Sequence, residues 1–213
     1  MGRRIWARGW ASYNGGNISL KIDEHTFLTT PTGVSKGFMT PDMILVVNEN
    51  GEKVEVNDEW QTTSEFKLHA MCYKDRADIG AVIHAHAPML TTFAANREGL
   101  DGHMLVDSGV LFGYIPCVPY HTLGTQELAD SITEYIAEHD AMILANHGAL
   151  AVGANVENAY YLLEDAENLA NVTWRLRAMG ARGVEFSDEE FEGLMKVRKE
   201  RGIAGRHPGS KRA

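Results

Sequence analysis

Two histidines separated by one residue, His84 and His86, close an apolar run that begins at Gly80. Residues 80–83 read as a short buried strand, and side chains two apart on a strand point to the same side. Two imidazoles so placed can chelate one metal ion without bending the backbone. A third histidine, His147, follows a second strand-like apolar run at 141–144. Three histidines with an open fourth position are what a catalytic zinc site requires, and manganese or cobalt also suits imidazole ligands.

Glu65 is the acid to set beside them. One reading makes it an ordinary first-turn helix acid, favourable for the dipole. The other places its carboxylate next to the metal, as a fourth ligand in the empty site and as a general acid/base once substrate displaces it. His69, one helical turn later, is a candidate to support Glu65. His25, His103, His121, His139 and His207 have no comparable spacing and stay unassigned.

Three stretches suit an anion. Asn14-Gly15-Gly16-Asn17 and Thr30-Pro31-Thr32-Gly33 let backbone amides approach a phosphate, and Thr63-Ser64 begins a helix whose free amides favour negative charge. Each reads equally well as a turn or a cap.

The elements that must position these groups follow from periodicity and punctuation. Residues 18–22 alternate as a half-buried strand, 26–29 return as a second, and 44–47 with 53–56 read as a hairpin through Asn48-Glu49-Asn50-Gly51. Helices are expected from Thr63-Ser64-Glu65 to Arg76, from Pro88 to Ala95, and after Thr125 with Leu128, Ile132 and Ile136 on one face. A strand at 149–152 and a long helix from Asn155 to Met179, closed by Gly180, come next. The capping box Ser187-x-x-Glu190 opens a last helix that stops at Gly202. Strands and helices interleave without repeat or linker, which predicts one α/β domain over 1–213, with a core of about 10–202 and a basic, solvated tail at 203–213.

At 213 residues and 44% hydrophobic, the chain can bury a substantial core. Its net charge of −9 argues against nonspecific nucleic-acid binding. No apolar run approaches membrane-span length, and the N-terminus lacks a signal peptide's apolar core. Cys72 and Cys117 are too few for a disulfide framework and read as buried free thiols. A soluble cytoplasmic protein is expected.

In chain order, Asn14-Gly15-Gly16-Asn17-Ile18-Ser19, Thr30-Pro31-Thr32-Gly33, Thr63-Ser64-Glu65, His84-Ala85-His86-Ala87 and Ala145-Asn146-His147-Gly148 resemble the class II aldolase/adducin-head family, most nearly its L-fuculose-1-phosphate aldolase branch. Ile115-Pro116-Cys117-Val118-Pro119-Tyr120 and Leu123-Gly124-Thr125 add to the resemblance, which spans about residues 10–180. It implies a three-layer α/β/α single domain around a mixed, largely antiparallel central sheet, in homotetramers with active sites between subunits. It also implies zinc on His84, His86 and His147, substrate phosphate against Asn17, Thr32, Gly33, Thr63 and Ser64, and Glu65 as the acid/base. The implied reaction cleaves a phosphorylated ketose to dihydroxyacetone phosphate and an aldehyde through a zinc-stabilised enediolate.

The pattern departs from the family on the aldehyde side. The tyrosine that a neighbouring subunit contributes falls near His103-Met104, where none stands. A second, C-terminal tyrosine is replaced around Arg201-Gly202, and an N-terminal helix looks shortened. His103, Asp107, Tyr114 and His121 are candidates to take over. A sugar-phosphate epimerase or keto-acid-phosphate decarboxylase of the same family is the nearest alternative. A non-catalytic adducin-head-like module and an unrelated metallohydrolase are more distant ones.

Overall fold

The computed structural model describes residues 1–55 and 59–209. In chain order the elements are α1 (Gly2–Ala7), β1 (Asn17–Lys21), β2 (Phe27–Thr29), β3 (Leu45–Val47), α2 (Phe66–Asp75), β4 (Ala81–Ala85), α3 (Pro88–Ala95), β5 (Leu100–Asp101), α4 (Val106–Leu111), β6 (Tyr114–Ile115), β7 (Cys117–Val118), α5 (Gln126–Ser131), α6 (Thr133–Ile136), β8 (Ala141–Leu144), β9 (Gly148–Gly153), α7 (Val156–Ala178) and α8 (Asp188–Glu200).

Within these residues the main sheet has seven strands in the order β3-β2-β1-β4-β9-β8-β7. Every neighbouring pair is antiparallel except β7 with β8. β4 is the middle strand and is buried along its whole length, so both its faces must be apolar. Ala81, Ile83 and Ala85 meet Ile5, Leu90, Phe93 and the buried face of α7. Val82, with Met142, Leu144, Leu150 and Val152, faces Phe66, Leu68, Cys72, Leu128 and Ile132 on the opposite side. Helices thus cover both faces, in the three-layer α/β/α arrangement that the resemblance implies.

Several boundaries differ from expectation for local reasons. The hydroxyls of Thr63 and Ser64 do not cap α2, which begins at Phe66 with Glu65 at its N-cap; the Thr63 hydroxyl instead accepts from the Glu65 amide at 3.3 Å. The helix after Thr125 is capped by that residue but divides at Ile132, where the Ser131 hydroxyl donates to the Leu128 carbonyl at 2.8 Å. The second hairpin strand is reduced to one bridge, Val47 with Lys53, and Val56 lies outside the described residues. Cys72 is buried as expected, whereas Cys117 is only half-buried because it sits on the edge strand β7.

Described residues near both ends of the chain join the packing. Ile5, upstream of residue 10, is 0% exposed. Arg198 donates to the Ala204 and Gly205 carbonyls, and the Arg206 amide to Asp140 at 2.7 Å, so residues 203–206 fold back onto the domain. Residues 210–213 lie outside the described residues. No helix among the described residues is long and apolar enough to cross a membrane.

Candidate metal centre and phosphate loops

His84 ends the apolar run of β4 and is fully buried, and His86 lies one residue past the strand. The His86 amide donates to the Trp10 carbonyl at 2.8 Å. Pro88 then opens α3, whose Met89 and Leu90 amides are both taken by the Glu167 carboxylate at 2.9 Å. His147 stands in the turn between β8 and β9, where its amide donates to the Leu144 carbonyl at 3.0 Å. Asn146 makes that turn with a left-handed φ of 57°, a conformation asparagine tolerates better than most residues.

One ring nitrogen from each of His84, His86 and His147 lies within 4.8 Å of the others. His84 donates from Nδ1 to the Ala149 carbonyl at 3.0 Å, which leaves Nε2 as the lone-pair nitrogen facing the cluster. His84 Nε2 and His86 Nε2 are 3.1 Å apart; two nitrogens on one tetrahedral zinc ion stand about 3.3 Å apart. Glycines make the approach possible. A Cβ at Gly148 would lie 2.8 Å from His86 Cδ2 and 2.7 Å from the Ala85 carbonyl oxygen, and one at Gly15 would lie 2.9 Å from His86 Nδ1.

Burial keeps these rings neutral. It pulls His84 down to about 3, with His86 adding to the effect and the Ala149 carbonyl opposing it. His147 falls to about 4, mainly through burial and then His84, while Glu65 opposes. His86 is lowered by burial, again against Glu65.

Glu65 faces the same point: Oε1 is 3.4 Å from His147 Nε2 and Oε2 is 3.7 Å from His84 Nε2. Oε1 is buried without a hydrogen-bond partner. Each neutral imidazole offers one lone-pair nitrogen, and three of these converging beside a carboxylate oxygen make a donor set suited to a cation. The donor set fits a divalent ion of the zinc type.

Oε2 has a fixed partner. Asn17 Nδ2 donates to it at 2.7 Å, and Asn17 pairs directly across from His84 in the β1–β4 ladder. Because Asn17 donates to Glu65 through its nitrogen, its oxygen must accept, here from His69 Nε2 at 2.5 Å. His69 Nδ1 then accepts from the Ser19 hydroxyl at 2.7 Å, which accepts from Tyr73 at 2.7 Å. The chain Tyr73–Ser19–His69–Asn17–Glu65 therefore has one consistent donor direction. Burial drives His69 down to about 3, with His84 adding to the effect and Glu65 opposing, so it stays neutral.

The three anion-type stretches are joined to one another. The Ile18 amide donates to the Thr30 hydroxyl at 3.1 Å, and the Thr32 amide to the Gln61 carbonyl at 2.9 Å. Asn17 Nδ2 also reaches the Thr63 hydroxyl at 3.5 Å. Thr32, Gly33 and Ser64 are exposed, while Asn17 and Thr63 are buried. The side chain of Asn17 is thus committed to Glu65 and His69. Of the candidates for the missing tyrosine, His103 is 0% exposed and packs on Phe191 of α8, so it is enclosed within this chain.

Sequence reading missed three contributors: Ser19 and Tyr73, which complete the chain to Glu65, and Lys36, buried beneath the loops. Ser19 and Tyr73 carry no distinctive spacing. A lysine is ordinarily solvated, and only the folded chain shows this one enclosed.

The chain belongs to the class II aldolase and adducin N-terminal domain family, whose model matches residues 1–174. It is 35% identical over 172 residues to the 5-methylthioribulose-1-phosphate/5-deoxyribulose-1-phosphate aldolase of Escherichia coli O45:K1, covering 80% of this chain and 78% of that one. It is 30% identical over 198 residues to the 5-deoxy-D-ribulose 1-phosphate aldolase of Bacillus thuringiensis serovar kurstaki, covering 92% and 90%. Its fold is similar to the solved structure of an L-fuculose 1-phosphate aldolase, with a TM-score of 0.82, 31% identity, and 93% and 92% of the two chains covered.

Proposed function

We propose that this chain is a metal-dependent aldolase that cleaves a ketose 1-phosphate to dihydroxyacetone phosphate and an aldehyde. The observation that carries the reading is the convergence of His84, His86 and His147 with the unpartnered Oε1 of Glu65. The two sequence relatives named above, both with 5-deoxyribulose 1-phosphate in their names, support a 5-deoxypentulose 1-phosphate, whose cleavage between C3 and C4 leaves acetaldehyde as the second product.

In this reading His84, His86 and His147 hold a divalent ion, zinc in the first instance and manganese or cobalt as alternatives. When bound, that ion supplies Lewis-acid stabilisation of the negative charge that develops beside the substrate carbonyl. Thr32, Gly33 and Ser64 receive the phosphate at the exposed loops, and Asn17 and Thr63 hold those loops in register. When the C3–C4 bond breaks, its electron pair stays on the C3 side, and the C4 hydroxyl gives up its proton as the aldehyde leaves. Glu65 delivers a proton to C3; in the reverse direction it removes one. Asn17 keeps Oε2 occupied, so Oε1 is the oxygen free for that transfer. A homotetramer with sites at subunit boundaries and a cytoplasmic setting belong to the same reading.

A second reading, decarboxylation of a keto-acid phosphate, is favoured by one observation. His103 is enclosed, and no tyrosine stands there to handle a proton on a departing aldehyde oxygen. The metal-loaded protein, incubated with dihydroxyacetone phosphate and acetaldehyde, should form a 5-deoxypentulose 1-phosphate. Failure with acetaldehyde and other short aldehydes, together with carbon dioxide release from a keto-acid phosphate, would reject the aldolase. His86→Ala should fold but lose the metal. Glu65→Gln should keep the metal yet slow C3 proton exchange in dihydroxyacetone phosphate about 10²-fold.

A further inference from the structure

Lys36 is among the largest fully buried side chains, at 1% exposure. Its ammonium donates to the Asn14 carbonyl at 3.0 Å and the Val34 carbonyl at 2.7 Å. Among the described residues no carboxylate stands within the 4.0 Å of an ion pair. Burying an ammonium without a counter-ion is strongly unfavourable, because the lost hydration is not replaced by an opposite charge. Burial accordingly pulls it down to about 8, with only the field of Glu65 raising it. Such a residue needs a reason to be charged and enclosed.

The two carbonyls supply the direction. Asn14 begins the loop Asn14-Gly15-Gly16-Asn17, and Val34 follows Thr32-Gly33, so one ammonium clasps both anion-type loops from below. In a trans peptide the N–H points away from the C=O. The Val34 carbonyl turned onto Lys36 therefore sends the Ser35 amide the opposite way. Among the described residues no acceptor meets the Gly33, Val34 or Ser35 amides. Gly33 has a left-handed φ of 73° and nothing within 4 Å of where a Cβ would stand. Successive free amides around a left-handed glycine form an anion-collecting concavity, here with a buried positive charge beneath it.

We infer that Lys36 is the fixed countercharge of the substrate phosphate, a positioning residue that acts from beneath the Thr32-Gly33 loop and selects for the phosphorylated ketose. The inference rests on the phosphate-loop part of the proposed function. It accounts for the missing counter-ion, because the dianion itself completes the pair. It also accounts for the absence of an exposed lysine at the loop, where a mobile point charge would fix no geometry.

The experiment is a calorimetric titration of the metal-loaded full chain with inorganic phosphate and with dihydroxyacetone phosphate, using wild type, Lys36→Met and Lys36→Gln. Glutamine retains a donor for the two carbonyls while removing the charge. Both variants should keep their metal and lose about 10²-fold in affinity for both ligands. Their C3 exchange rate at saturating dihydroxyacetone phosphate should change less than threefold, so the effect falls on KM. Folded, metal-loaded variants that bind phosphate within threefold of wild type would overturn the inference and leave Lys36 a structural tie. Should neither variant fold, the wild type decides: phosphate must shift the Lys36 Nζ resonance of lysine-labelled protein, and an unmoved resonance with phosphate bound is the overturning result. A wild type that binds no phosphate removes the phosphate-loop reading itself, an outcome distinct from variants that match a binding wild type.

Discussion

Asn17 Nδ2 donates to Glu65 Oε2 at 2.7 Å, while the other oxygen of Glu65 stands 3.4 Å from His147 Nε2 with no donor. One amide thus decides which oxygen is spent on structure and which faces the chemistry. Replacing Asn17 with Asp sets two carboxylates at hydrogen-bond distance, and two such groups cannot both be ionised. Asn17→Asp should therefore keep the metal, slow C3 proton exchange by about 10²-fold, and move the pH optimum upward. Metal analysis checks the first and exchange of deuterium from solvent into dihydroxyacetone phosphate the other two, and an unchanged profile would show that Asn17 does not set the charge on Glu65.

Gly148 has no room for a side chain, because a Cβ there would lie 2.7 Å from the Ala85 carbonyl oxygen and 2.8 Å from His86 Cδ2. The flexible end of that pair is the His86 ring. Relieving the Ala85 contact must move backbone and relieving the other displaces the ring, so Gly148→Ala should lower stability and weaken metal binding about tenfold or more, as loss of ligand orientation does. Competition against a chelator of known affinity reads this out, and wild-type affinity in the variant would refute it.

Acid should destabilise the metal-free protein early. His69 and His84 sit at about 3 and His147 at about 4, all through burial, against about 6.5 in the unfolded chain. Between about pH 4 and 6.5 the unfolded state binds more protons than the folded one, so stability rises with pH across that window. It is fully present above 6.5 and is lost as the pH falls toward 4. Near pH 5 three such protons correspond to a slope of about 4 kcal/mol per pH unit. Urea unfolding in the presence of chelator, at half-unit steps, tests the slope, and His69→Gln should remove one proton from it.

Arg76 and Asp140 form a pair at 2.6 Å with side chains only 4% and 5% exposed, and the Arg206 amide adds a second bond to Asp140 at 2.7 Å. Removing one partner leaves the other charged and enclosed. Arg76→Met should cost about 3–5 kcal/mol of stability without altering metal content, because the pair touches none of the three histidines. A loss under 1 kcal/mol by urea unfolding would mean that water reaches Asp140.

How much of this was legible beforehand varied with the physics of each part. His84 and His86 could be read as one face of a strand because a two-residue period needs no tertiary information. α3, α7 and α8 were bounded by Pro88, by Asn155 and Gly180, and by the Ser187–Glu190 box, all local signals. β5, β6 and β7, at two residues each, carry too little pattern to be told from loop. α1 and α4 are six residues long and depend on what they pack against. Lys36 and the commitment of Asn17 to Glu65 were invisible for the same reason. Both arise only when β1, β4 and the loops close on one another.

The pairing of Asn17 across from His84 carries a practical warning for anyone refolding this protein. A slip of one residue between those strands would leave His84 and His86 side by side, still able to capture a cation. It would also swing Asn17 to the opposite face, abandoning Glu65. Molecules mispaired in this way would be counted by metal analysis as intact while lacking a working acid, so occupancy by itself overstates the competent fraction of a sample.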